Sequence, residues 1–134
     1  MKVVLDSNVL FRTLISGGEI LKIFFNPKLE IIAPIRLKEE FLNNKEEILM
    51  KSNLTSEEFD TLCSIIFERI TFFKLEEYED FISKARDLLK EHEKYEDFVA
   101  LAIKNNIKLW TYEKLLFNLN IAISTKEIIE RIKE

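Results

Sequence analysis

The sequence predicts an α/β protein: a three-layer α/β/α sandwich built on a central parallel sheet. Two observations point to it. Short apolar, β-branched runs alternate with longer amphipathic stretches along the whole chain, the order that parallel strands joined by helical crossovers require. The strand candidates are also apolar on successive residues, as strands covered on both faces are. Right-handed crossovers then limit the topologies to a few.

The first strand is KVVL, Lys2–Leu5. Ser7–Ser16 carries apolar residues at helical spacing until Gly17-Gly18 stops it. Glu19–Phe25 reads as a second short helix, closed by Asn26-Pro27, and Leu29–Pro34 as a second buried strand. From Arg36 to about Met50, the spacing of Leu37, Phe41, Ile48 and Leu49 suits a helix. The next helix opens on a capping box, Thr55 to Glu58, and turns Phe59, Leu62, Cys63, Ile66 and Phe67 inward. Ile70–Lys74 is the third strand candidate. Glu76–His92 places Tyr78, Phe81, Ile82, Ala85, Leu88 and Leu89 on one helical face. Glu96–Asn106 is a more apolar helix, with Ala100 and Ala102 where close packing is expected. Ile107–Thr111 and Leu119–Ser124 are the last two strands, and Thr125–Glu134 closes the chain as a helix. Repeats, low-complexity segments and linkers are absent from the sequence, so one domain over residues 1–134 is expected.

Composition narrows the function. Apolar residues make up 47% and charged residues 33% of the chain, which excludes a disordered chain. A net charge of −4 disfavours a broad electrostatic grip on nucleic acid, although a basic rim around an acidic centre stays compatible with it. Cys63 stands alone, so an intramolecular disulfide is impossible and Cys63 reads as core; His92, in a polar stretch, reads as surface. No segment approaches the ~20 apolar residues of a membrane span. Asp6 interrupts the first apolar stretch at once, against a signal-peptide pattern. A cytoplasmic protein without membrane partners is expected.

The candidate chemistry lies in the acids. Ligands of an open parallel sheet sit beyond the carboxyl ends of its strands. Asp6 directly follows the first strand, and Glu113 follows IKLWT by two residues. Glu39 and Glu40 lie one turn into the helix after EIIAP, and Glu96 and Asp97 open the helix that leads to IKLWT. Four carboxylates converging there would repel unless a cation lay among them. Hard oxygen ligands select Mg²⁺ or Mn²⁺, and such an ion suits metal-assisted phosphodiester hydrolysis. Asn8 fits as an amide that orients Asp6 or a metal-bound water. Taken singly, each acid has a plainer role: Asp6 or Ser7 as a helix cap, Glu39 and Glu40 as surface charge, Glu96 and Asp97 as acids at a helix start. Only their joint pattern carries the functional reading.

The stretches VVLDSNVLF, EIIAPIRLKEEFL and DFVALAIKNNIKLWTYEKLL, in that order and spacing, resemble the PIN domain, and most closely its small single-domain prokaryotic form, which includes the VapC-type toxins. The resemblance covers nearly the whole chain. It implies a sheet of about five parallel strands and a ribonuclease using Mg²⁺ or Mn²⁺. The family's acids would fall on Asp6, Glu40 and Glu113, and its usual Asn on Asn8. The third acid departs from the pattern: an ungapped match puts it on Tyr95. A helix starting one residue later would bring in Glu96, the first choice, or Asp97, the second. The resemblance further implies an RNA substrate, an antitoxin protein that inserts a segment near the acids, and a homodimer. Phe11, Leu14 and Phe24 would serve as the apolar contacts or equally as core. Arg12, Lys104, Lys108 and Lys114 are candidates to hold the RNA backbone.

Two other functions compete. A non-catalytic module binding protein or RNA is suggested by Tyr95, Tyr112 and Glu113 at positions where relatives tend to be smaller or carry Asp. A nucleotide-binding domain is weakly supported, because Gly17-Gly18 does not follow a strand and no phosphate-cradling loop is present.

Overall fold

The computed structural model describes residues 1–133. Five strands form one sheet: β1 (Lys2–Leu5), β2 (Glu30–Pro34), β3 (Ile70–Phe73), β4 (Lys108–Trp110) and β5 (Ala122–Ile123). All pairings are parallel and the order is β3-β2-β1-β4-β5. Strand β1 is central. Val3 lies opposite Ile31 on one side and Lys108 on the other, and Leu5 opposite Trp110. Val3, Val4 and Leu5 are wholly buried, which is why their run is apolar without alternation.

The helices are α1 (Ser7–Ser16), α2 (Gly18–Phe24), α3 (Arg36–Ser52), α4 (Ser56–Glu68), α5 (Ile82–Leu89), α6 (Glu96–Asn105), α7 (Lys114–Asn118) and α8 (Thr125–Ile132). Helix α1 packs against α2, α3 and α4, while α6 lies across β1, β2 and β4 and against α5. The chain steps outward from β1 to β2 to β3, then returns past β1 to β4 and β5. Right-handed crossovers in opposite directions put these two helix groups on opposite faces. The result is three layers around one continuous core. Phe24 meets Trp110 at 5.3 Å between ring centres, and Phe41 meets Phe67 edge-on at 5.1 Å.

Local signals set the boundaries. Both bonds of the Thr55–Glu58 capping box are formed at α4, and Ser124 with Glu127 forms a second box at α8. Gly17, at φ 59°, closes α1. Cys63 is buried and His92 exposed.

Two expectations need correction. The expected single helix over 76–92 is two 3₁₀ turns, Leu75–Glu77 and Glu79–Phe81, followed by α5 alone. Tyr78 causes the break: it is buried, it hydrogen-bonds Asp97, and its φ of −137° is not helical. The strand expected over 119–124 shrinks to Ala122–Ile123, and α7 precedes it, unheralded by any side-chain cap. The expected closing helix ran to Glu134, which lies outside the described residues; α8 ends at Ile132. Leu14 and Phe24 are core. Among the described residues no helix is long and apolar enough to cross a membrane.

Arg69, just past α4, ties the α2–β2 connection to the body of the protein. Its guanidinium donates to the carbonyls of Phe24 (2.6 Å), Asn26 (3.2 Å) and Leu29 (3.2 Å). Arg69→Met is expected to destabilise the chain by about 2 kcal/mol in urea unfolding, because three carbonyls lose a charged donor. A loss within error of zero would mean that water replaces the guanidinium.

Candidate active site

The connections leaving β1 and β4 run in opposite directions, α1 toward β2 and α7 toward β5. The crevice between these two neighbouring strands is therefore the switch point where open parallel sheets bind ligands. A cleft of about 230 Å³ opens near these strand ends, lined by Asp6, Ser7, Asn8, Phe11, Glu40, Lys94, Tyr95, Phe98 and Glu113.

Asp6 is 4% exposed and stands at the N-cap position of α1. The cap and the site residue are thus one side chain. Its Oδ1 accepts the Ser7 N–H (2.8 Å), and its Oδ2 accepts the Thr111 hydroxyl (2.6 Å). The Thr111 oxygen in turn accepts the Glu113 N–H (3.0 Å) and the Asn8 amide (3.4 Å). Asn8 completes the lattice by accepting the Tyr112 N–H at 3.4 Å. Asn8 therefore reaches Asp6 through Thr111 rather than directly.

Glu40 comes from the second turn of α3. The Ser7 hydroxyl donates to its Oε2, and Arg36 Nε lies 3.2 Å from its Oε1. Arg36 also reaches Asp97, 3.5 Å from Nη1 to Oδ1, and Asp97 accepts the Tyr78 hydroxyl at 2.6 Å. Burial and Asp97 push the Tyr78 phenol upward, so it stays a donor. Glu39 lies outside the cleft lining.

The start of α6 decides the remaining acids. The helix begins at Glu96, after a 3₁₀ turn at Glu93–Tyr95. Tyr95 is the residue of this stretch that lines the cleft. One step along the helix rotates the side chain by about 100°. Glu96 consequently points to α5, where Arg86 grips it at 3.0 and 3.2 Å. Glu96 and Asp97 both lie outside the cleft lining, each matched by an arginine. The Tyr95 phenol is pushed upward by burial and by its contact with Glu113, so it faces the acids as a neutral hydroxyl. Lys94 Nζ sits 5.0 Å from the centre of the Tyr95 ring.

The electrostatics are those of one under-neutralised centre. The Asp6 carboxyl is raised to about 6, chiefly by burial; Thr111 and Ser7 oppose the rise, and the charges of Glu40 and Glu113 add to it. Among the described residues no three acids are gathered closely enough to cage an ion as they stand. The chemistry of the donor set suits a hard divalent cation, because three carboxylates line one cleft and the charges of Glu40 and Glu113 disfavour the ionised form of Asp6. Four of the residues around this centre carry weight that sequence reasoning missed: Thr111, Ser7, Arg36 and Lys94. The strand-end WT dipeptide was the available signal for Thr111; the others are ordinary polar residues in sequence.

A parallel sheet with carboxylates at its switch point is the frame of an acidic-crevice α/β protein. The pattern of the PIN domain family matches residues 4–133, and the chain belongs to that family. PIN domains are in general nucleases that use divalent metal ions. No curated protein sequence matches the chain.

The pH dependence of the metal-free protein follows from Asp6. Its folded value lies above the ordinary 3.8, so between about pH 4 and pH 6 the folded chain holds a proton that the unfolded chain has released. This contribution is fully present below pH 4 and is lost as pH rises through 6. Asp6→Asn is expected to remove that dependence and to be more stable than the wild type at pH 7 by about 2 kcal/mol in urea unfolding. Parallel pH profiles for the two proteins would contradict this.

Proposed function

We propose that this chain is an endoribonuclease that hydrolyses RNA phosphodiester bonds with Mg²⁺ or Mn²⁺. The observation that carries this reading is the lining of a single switch-point cleft by Asp6, Glu40 and Glu113. These three side chains would hold the ion. Bound there, a divalent ion acidifies a coordinated water and offsets the charge of a phosphodiester under attack.

The chain's own residues do the positioning. The Ser7 N–H and the Thr111 hydroxyl fix both oxygens of Asp6, so the carboxylate cannot swing away from the cleft. Ser7 and Arg36 fix Glu40 in the same way. The Tyr95 hydroxyl occupies the side of the cleft nearest Glu113 and brings no charge, which supports one ion per chain rather than two. Lys94 stands at the rim, where a phosphate would meet it. Lys104 and Lys108 are less suited to RNA. Their ammonium groups bond the carbonyls of Glu77 and Asn120, and Lys108 lies at the opposite end of β4. Glu96 and Asp97 act from outside the cleft, as the partners of Arg86 and Arg36.

Within this reading the protein is the toxin of a toxin–antitoxin pair, acts in the cytoplasm, works as a homodimer and is silenced by an antitoxin protein at the acidic cleft. The likeness to small prokaryotic PIN domains supports this finer part. A second reading, a binding module without catalysis, is favoured by one observation: Tyr95 stands in the cleft where a further acid was expected.

Incubation of structured RNA with the purified chain and Mn²⁺ separates the two. The wild type is expected to give products with 5′-phosphate and 3′-hydroxyl ends, and Asp6→Asn to lose at least 100-fold in rate, the order of loss typical of one essential group. Induced expression of the wild type, but not of Asp6→Asn, is expected to slow growth. Cleavage that survives in Asp6→Asn would sink the assignment. A folded wild type that binds RNA without cutting it would favour the module.

A further inference from the structure

We propose that Arg12, poised over the ring of Tyr112, is a stacking subsite for an unpaired nucleobase next to the scissile phosphate. This rests on the ribonuclease reading and makes single-stranded RNA the form that the rim engages. The Arg12 guanidinium carbon lies 4.5 Å from the centre of the Tyr112 ring. Arg12 is exposed, and among the described residues it pairs with no carboxylate. The arginines described above are committed elsewhere: Arg36 to Glu40 and Asp97, Arg86 to Glu96, Arg69 to carbonyls.

The platform is fixed to the acidic centre at both ends. Arg12 follows Asn8 by one turn of α1 and is adjacent to Phe11, which lines the cleft. Tyr112 lies between Thr111 and Glu113, and its N–H is held by Asn8. The Tyr112 hydroxyl is enclosed without a hydrogen-bond partner, so the ring is what this residue contributes. An exposed guanidinium held over an aromatic ring offers a planar, weakly hydrated group to a further stacking partner. Nucleobases stack on such planes when they are unpaired, and a paired base cannot reach them. Stacking also suits this chain, because a net charge of −4 offers no general attraction to a polyanion.

The test uses full-length Asp6→Asn, which removes an ion ligand, with Mg²⁺ and a short fluorescent single-stranded RNA read by anisotropy. A single abasic ribonucleotide is walked along the probe. One position is expected to weaken binding about tenfold when its base is removed, the size of one stacked base. Adding Arg12→Lys keeps the charge but removes the plane, and is expected to abolish that abasic penalty. Tyr112→Phe is expected to preserve it. A penalty that persists in Arg12→Lys, or no abasic penalty anywhere, overturns the subsite and leaves the ribonuclease reading standing. No binding of any RNA by Asp6→Asn, together with neither binding nor cleavage by the wild type with Mg²⁺, overturns both.

Discussion

The hydroxyl of Thr111 holds the centre together. It donates to Asp6 and accepts from the Glu113 N–H and the Asn8 amide, and so locks the ends of β1 and β4 into one unit. A buried carboxylate without such donors would simply keep its proton. With them, the rise that burial causes in Asp6 is held to about 6. The sheet order supplies the rest, since only at the β1/β4 switch point do two neighbouring strands send their connections apart. The crevice, its acids and its rim all descend from that one divergence.

Charge balance then divides the carboxylates into two classes. Glu96 and Asp97 are each matched by an arginine outside the cleft, and Glu40 shares Arg36 with Asp97. Among the described residues Asp6 and Glu113 have no basic partner at salt-bridge distance. The matched acids build scaffold by joining α5 to α6 and α3 to α6. The unmatched ones leave a deficit of positive charge that hard cations suit. Tyr95 limits that deficit by offering a hydroxyl where a further carboxylate would have deepened it.

The strands were legible because burial on both faces writes itself as an unbroken apolar run: Val3, Val4 and Leu5 could hardly lie elsewhere. Asp6 and Glu113 were placed at one sheet edge by their positions just beyond strand ends, whereas Glu40, in the second turn of α3, was singled out from Glu39 only by the family resemblance. What stayed hidden depends on contacts that no local pattern records. Thr111 meets Asp6 across 105 positions of sequence. The 3₁₀ turn before Glu96 decides which of three successive residues faces the cleft, and helical periodicity alone could not choose among them. Tyr78 broke an expected helix because its hydroxyl found Asp97. Helix α7, of five residues, has no side-chain cap to announce it.

The most direct test of the central claim is the melting temperature of the metal-free chain at pH 7 during titration with Mn²⁺, beside Asp6→Asn. An ion that binds only the folded state raises stability by RT ln(1 + [L]/Kd), about 2.7 kcal/mol at a hundredfold excess over Kd. The account predicts a saturable rise in the wild type, with one ion bound per chain, and none in Asp6→Asn. An equal rise in both proteins, or a flat response in the wild type, would contradict it.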